Sequence, residues 1–112
     1  MDNPTPYTRN GQAAGFAALI AQHEQITGHP YAASQAAREA SYYADEAARD
    51  TAADAAALKL AAETDPDWYP DWQQAQDQAT AAQKWAAEQR ALSDQLAATI
   101  ADWTPYPQET RS

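Results

Sequence analysis

The sequence predicts an all-α protein: a long antiparallel helical hairpin with a shorter N-terminal helix packed on one end, a three-helix arrangement open to completion by dimerisation. Three observations predict it. Alanine supplies 30 of the 112 residues and valine is absent; alanine loses no side-chain entropy in a helix, whereas strands draw on β-branched and aromatic residues. Glycine and proline are missing from residues 31–65 and 71–104, so two long stretches contain no helix breaker. Within both stretches, small and apolar residues recur with a helical period.

Residues 1–9, with Pro4 and Pro6, read as a flexible, extended arm. A first helix is expected over about 10–27, with Asn10 as its N-cap. Phe16, Leu19, Ile20, His23 and Ile26 fall on one face of it and are expected to face the core. Gly28 stops it, and Pro30 suits the first turn of a second helix over about 30–63. Two prolines and three aspartates in residues 65–71 break the chain before a third helix over about 70–103. Residues 10–104 thus form one helical domain, and residues 105–112 a flexible tail.

The hairpin seam is legible. The second helix offers Ala40, Ala44, Ala47, Thr51, Ala55, Leu58 and Ala62. The third offers Ala75, Ala79, Ala82, Ala86, Gln89, Leu92, Leu96, Ile100 and Trp103, close to a coiled-coil repeat. The first helix is half as long as its partners, so it covers only the end of the hairpin near Gly28. Residues 48–85 are expected to lie outside its cover. A two-helix hairpin lined with alanine buries little area per turn, which points to a homodimer or a partner chain. Trp85 falls in that stretch and reads as an interface residue. Leu58 and Leu60 lie too far apart around the helix for one seam to bury both, and Tyr42 and Tyr43 cannot both face it.

The formal charge is −9 at pH 7. An acidic body of this kind repels phosphates and anionic lipid, so neither direct nucleic-acid binding nor membrane association is expected. A helix-turn-helix reading of residues 30–48 fails because Glu39, Asp45 and Glu46 outweigh Arg38. Without cysteine there are no disulfides or thiolate metal sites. The N-terminal residues lack a secretory pattern and no stretch is apolar enough to span a bilayer, so a cytoplasmic protein is expected. Abundant alanine, and arginine in excess of lysine, suit a bacterial, phage or plasmid source.

No catalytic constellation emerges. His23-Glu24 and His29 do not make the zinc-protease pattern, which needs histidines four apart on one helix. No nucleophile elbow or glycine-rich phosphate loop is present. No enzyme activity, metal or cofactor is therefore expected. Glu46, Asp50 and Asp54, with Asp45 beside them, form an acidic stripe that is either a solvated face or an imitation of a phosphate row, and Arg49 is placed to pair with Asp45. Trp68, Tyr69 and Trp72 crowd the break between the long helices among Asp65, Asp67 and Asp71; tryptophan and tyrosine are favoured binding anchors.

The expectation is a protein–protein interaction module, an adaptor or inhibitor, with Trp68, Tyr69, Trp72, Trp85, Leu60 and Tyr42 as partner-binding candidates and a partner with a basic surface. The alternatives are a DNA-mimic inhibitor acting through Asp45, Glu46, Asp50 and Asp54, and a self-assembling structural subunit.

Overall fold

The computed structural model describes residues 3–101. Three α-helices occur among them: α1 (Arg9–Ile26), α2 (Pro30–Thr64) and α3 (Tyr69–Ala101), with a short 3₁₀ turn at Pro66–Trp68. The backbones of α1 and α3 both lie close along α2 and scarcely approach each other, so the long middle helix is the spine. The molecule measures 71 × 22 × 18 Å, with a radius of gyration of 18.5 Å, against about 13 Å for a compact chain of this length.

The expected seam is the observed one as far as the described residues reach, Trp103 lying outside them. Ala40, Ala44, Ala47 and Thr51 are buried on α2, as are Ala79, Ala82, Ala86 and Leu96 on α3. α2 also buries neighbouring pairs such as Ala36–Ala37 and Ala47–Ala48. One seam cannot cover such neighbours, so they mark a helix packed on two sides. Among the described residues, thirteen of the fifteen buried apolar residues are alanine, the others being Trp85 and Leu96. Side chains this small let helix axes approach at the short end of the usual 8–10 Å.

The face that α1 buries is the reverse of the expected one. Gly11, Ala14, Ala17 and Ala21 face the core, while Phe16, Leu19, Ile20 and Ile26 are exposed, as is His23. Alanines on α2 leave room for alanines on α1 and not for large side chains, so close approach decides the orientation.

Residues 3–8 are not an extended arm. Thr5 is fully buried, and Asn3 ties it down: Asn3 Oδ1 accepts from the Thr5 N–H at 2.9 Å, and Asn3 Nδ2 donates to the Gly11 carbonyl at 2.8 Å. Thr8, rather than Asn10, caps α1, its Oγ1 accepting from the Gly11 N–H at 2.9 Å. The segment lies so close to the helix that a Cβ at Gly11 would overlap the Thr5 carbonyl oxygen. Asn10 instead donates across to Asp50 Oδ2 at 2.8 Å, pinning the start of α1 to α2.

The turn between α1 and α2 closes as a Schellman motif. The His29 N–H donates to the Glu24 carbonyl at 2.8 Å and the Gly28 N–H to that of Gln25 at 3.2 Å, with Gly28 at φ +81°.

Two substitutions test these constraints by thermal melts. Gly28→Ala meets nothing in space, so its cost is the left-handed backbone alone, about 1–2 kcal/mol. Gly11→Ala gains helix propensity but displaces the buried Thr5, and a net loss of about 1–2 kcal/mol is expected; an unchanged or raised melting temperature would show that residues 3–8 do not hold this position.

Candidate protein-binding surfaces

At the far tip, Asp65 builds the break between α2 and α3. Its Oδ1 accepts from the Asp67 N–H at 3.0 Å and its carbonyl from the Trp68 N–H at 3.1 Å, so the chain reverses within one 3₁₀ turn. This leaves Trp68 and Tyr69 about half exposed, with Asp65, Asp67 and Asp71 exposed around them. Trp72 is half-buried and meets Tyr69 edge to face at 5.4 Å. The tip candidates are thus brought together as an aromatic cluster rimmed by acid.

Trp85 is placed elsewhere. It is 3% exposed and packed among Ala14, Ala44, Ala48, Ala82 and Ala86, so it belongs to the core and not to an interface. The correction follows from the reach of α1: its N-terminal end lies against Asp50, and the covered region extends far enough along the hairpin to enclose Trp85. Beyond Thr51 on α2, and before Ala79 on α3, no described residue is buried. In that bare arm Leu58 is half-buried at the seam while Leu60 faces outward. Tyr42 is exposed, and its neighbour Tyr43 packs against the core cluster that contains Trp85.

The acidic stripe is largely engaged within the fold. Asp45 pairs across the seam with Arg90 at 2.6 Å, so Arg49 takes Glu46 at 2.9 Å instead of the expected Asp45. Asp50 accepts the hydrogen bond from Asn10. The pairing changes because Asp45 faces α3, where a longer-range cation reaches it. Such exposed pairs contribute only about 0–1 kcal/mol each, but they fix where these carboxylates point.

The surface missed by sequence reasoning is the outer face of α1. Phe16, Leu19, Ile20 and Ile26 are 68%, 65%, 39% and 78% exposed. With about 200 Å² for a large side chain, these fractions amount to roughly 500 Å², within the range of the largest apolar patches on monomers, which are often functional. The periodicity that revealed the stripe carried no sign of its direction. Beside it, between α1 and α3, lies an open groove of about 560 Å³ walled by Gly15, Ala18 and Leu19 on one side and Gln89 and Leu92 on the other, with Trp85 also lining it. Gln89 Oε1 is buried there without a hydrogen-bond partner among the described residues.

No described helix is long and apolar enough to cross a membrane, and no group of three or more His, Asp or Glu among the described residues is placed to hold a metal ion. Comparison with family models, curated proteins and solved structures finds no match to this chain.

Denaturant unfolding separates the core tryptophan from the stripe. Trp85→Ala is expected to lose about 3–5 kcal/mol by leaving a cavity among alanines that cannot fill it. Phe16→Ala is expected to change stability by no more than about 0.5 kcal/mol. Equal effects would contradict the opposite burial of these two residues.

Proposed function

We propose that the chain is a protein–protein interaction module, an adaptor or inhibitor that acts by binding another protein, a second copy included, without catalysing a reaction. The observation that supports this reading is the outward stripe Phe16, Leu19, Ile20 and Ile26. Close packing on alanine turns these side chains outward, and the apolar surface it leaves in water is of a size that covering by another chain would favour. The aromatic tip supports the adaptor form. Trp68 and Tyr69 sit about 30 Å along the spine from the stripe, far enough for two partners to bind without touching. The tip's aspartates suit a basic, partly apolar partner.

The DNA-mimic reading gains little support from the same geometry. Three of its four carboxylates, Asp45, Glu46 and Asp50, are held by Arg90, Arg49 and Asn10, and a phosphate imitation needs them free for a nucleic-acid-binding cleft. The structural-subunit reading shares the stripe and differs only in the partner's identity.

The test is capture from a lysate of the source cell, comparing the whole chain with two double variants, Phe16→Ser with Ile26→Ser and Trp68→Ala with Tyr69→Ala. Proteins retained by the unaltered chain should be lost from the first variant, and a separate set from the second. Retention untouched by either would overturn the reading. Changing Glu46, Asp50 and Asp54 together to Lys should leave retention in place; its complete loss would favour the DNA mimic.

A further inference from the structure

We propose that the occupant of the outer α1 face is a second copy of this chain, with the two α1 helices antiparallel about a two-fold axis that crosses the outer face at the level of residue 21. The inference rests on the reading of that face as protein-binding and adds the partner and its register.

The first argument is spacing. Phe16, Leu19, His23 and Ile26 stand 3, 4 and 3 residues apart, the a/d pattern of a helix that packs on another helix. The pattern reads the same in reverse, so one stripe fits an inverted copy of itself. Phe16 then lies opposite the other copy's Ile26, and Leu19 opposite the other copy's His23. Large apolar side chains sit at the two ends and the polar histidines near the axis. Such self-complementarity is what an isologous two-fold contact requires.

Charge selects the partner. Of the nine net negative charges, α1 contributes none: Arg9 and Glu24 are its only charged residues apart from the histidine, and Glu24 lies 3.1 Å from His29 Nδ1 in the following turn. α2, the tip and α3 are each net acidic. Two copies that repel elsewhere therefore meet without repulsion only through α1, and that contact places the acidic hairpins on opposite sides of the joined helices. A strongly basic partner would find no row of carboxylates on this face and would be drawn to the hairpin instead.

Area sets the strength. Roughly 500 Å² per copy gives about 1,000 Å² in the pair, the lower limit for a specific interface. Leu19 continues the stripe to the rim of the α1–α3 groove opposite Leu92, which adds apolar surface at the edge. The dimer is accordingly a weak one, half-formed at a concentration on the order of 10 μM.

Light scattering of the whole chain from about 1 μM to several hundred μM reads this directly. The mass should rise from 12.2 kDa towards twice that value, and Phe16→Ser with Ile26→Ser should hold it at 12.2 kDa with the helix content and melting temperature of the dilute unaltered chain preserved, since both positions are exposed. The chain has no cysteine, so single cysteines report the register. Ile20→Cys should cross-link between copies with a short bismaleimide, and Gln12→Cys should not, because an antiparallel pair separates its two copies by about 27 Å. Cross-linking at both positions would mean parallel helices and would overturn the proposal. So would a mass of 12.2 kDa at every concentration, a dimer abolished by Leu60→Ser instead of the stripe variant, or a dimer seen only after removal of residues 102–112, which would make the chain's own C-terminal segment the occupant. If the unaltered chain stays monomeric while the stripe variant still loses a captured protein, the second copy is wrong and the interaction-module reading stands.

Discussion

Close approach between helices is the constraint from which the rest of this structure follows. Alanine at the meeting faces of α1, α2 and α3 brings backbones near enough for their many small contacts to accumulate, although each buried methyl removes little area from water. One large residue relieves the shortage. Trp85 fills the space between Ala14 of α1, Ala44 and Ala48 of α2, and Ala82 and Ala86 of its own helix, and it is the only aromatic side chain buried among the described residues. The three helices are held in one arrangement at the level of this tryptophan, while the hairpin beyond Thr51 relies on half-buried seam residues alone.

The same constraint dictates the surface. Where alanine occupies most positions at which the helices touch, the larger side chains of α1 turn outward. On α1 that sends Phe16, Leu19, Ile20 and Ile26 into solvent. The electrostatics divide along the same line, with a neutral, apolar α1 on one side and an acidic hairpin on the other. The cross-helix contacts Asp45–Arg90 and Asn10–Asp50 use part of that acid to hold the helices in register. An acidic body discourages unselective association, and α1, with Arg9 offset by Glu24, adds no net charge to it.

The N-terminal segment shows how locally this packing is enforced. Gly11 and Gly15 leave α1 without side chains on one edge, and Asn3 and Thr5 lie against it; a Cβ at Gly15 would come within 2.7 Å of Asn3 Nδ2. The fully buried Thr5 is supported by Asn3 and in turn accepts hydrogen bonds from Thr8, the residue that caps the helix. Backbone groups that a helix start leaves without partners are thus satisfied by a few polar residues close in sequence.

The sequence by itself determined the helices, their breaks and the hairpin seam. Those depend on local propensity, on Gly28 and Asp65-Pro66 as punctuation, and on the period of alanine in α2 and α3, all written within a few turns of chain. It also revealed the aromatic tip, because Trp68, Tyr69 and Trp72 adjoin one another in sequence. Only the tertiary structure decided which face of α1 turns inward, that Trp85 is core and that Asp45 belongs to Arg90. A helical period marks two opposite faces without saying which is buried. The expectation that the larger apolar residues go inside fails when the receiving surface is alanine, because the gain from closer backbones and denser contacts there exceeds the gain from burying Phe16 or Leu19. That comparison involves residues some thirty positions apart, and no local stretch of the chain contains it.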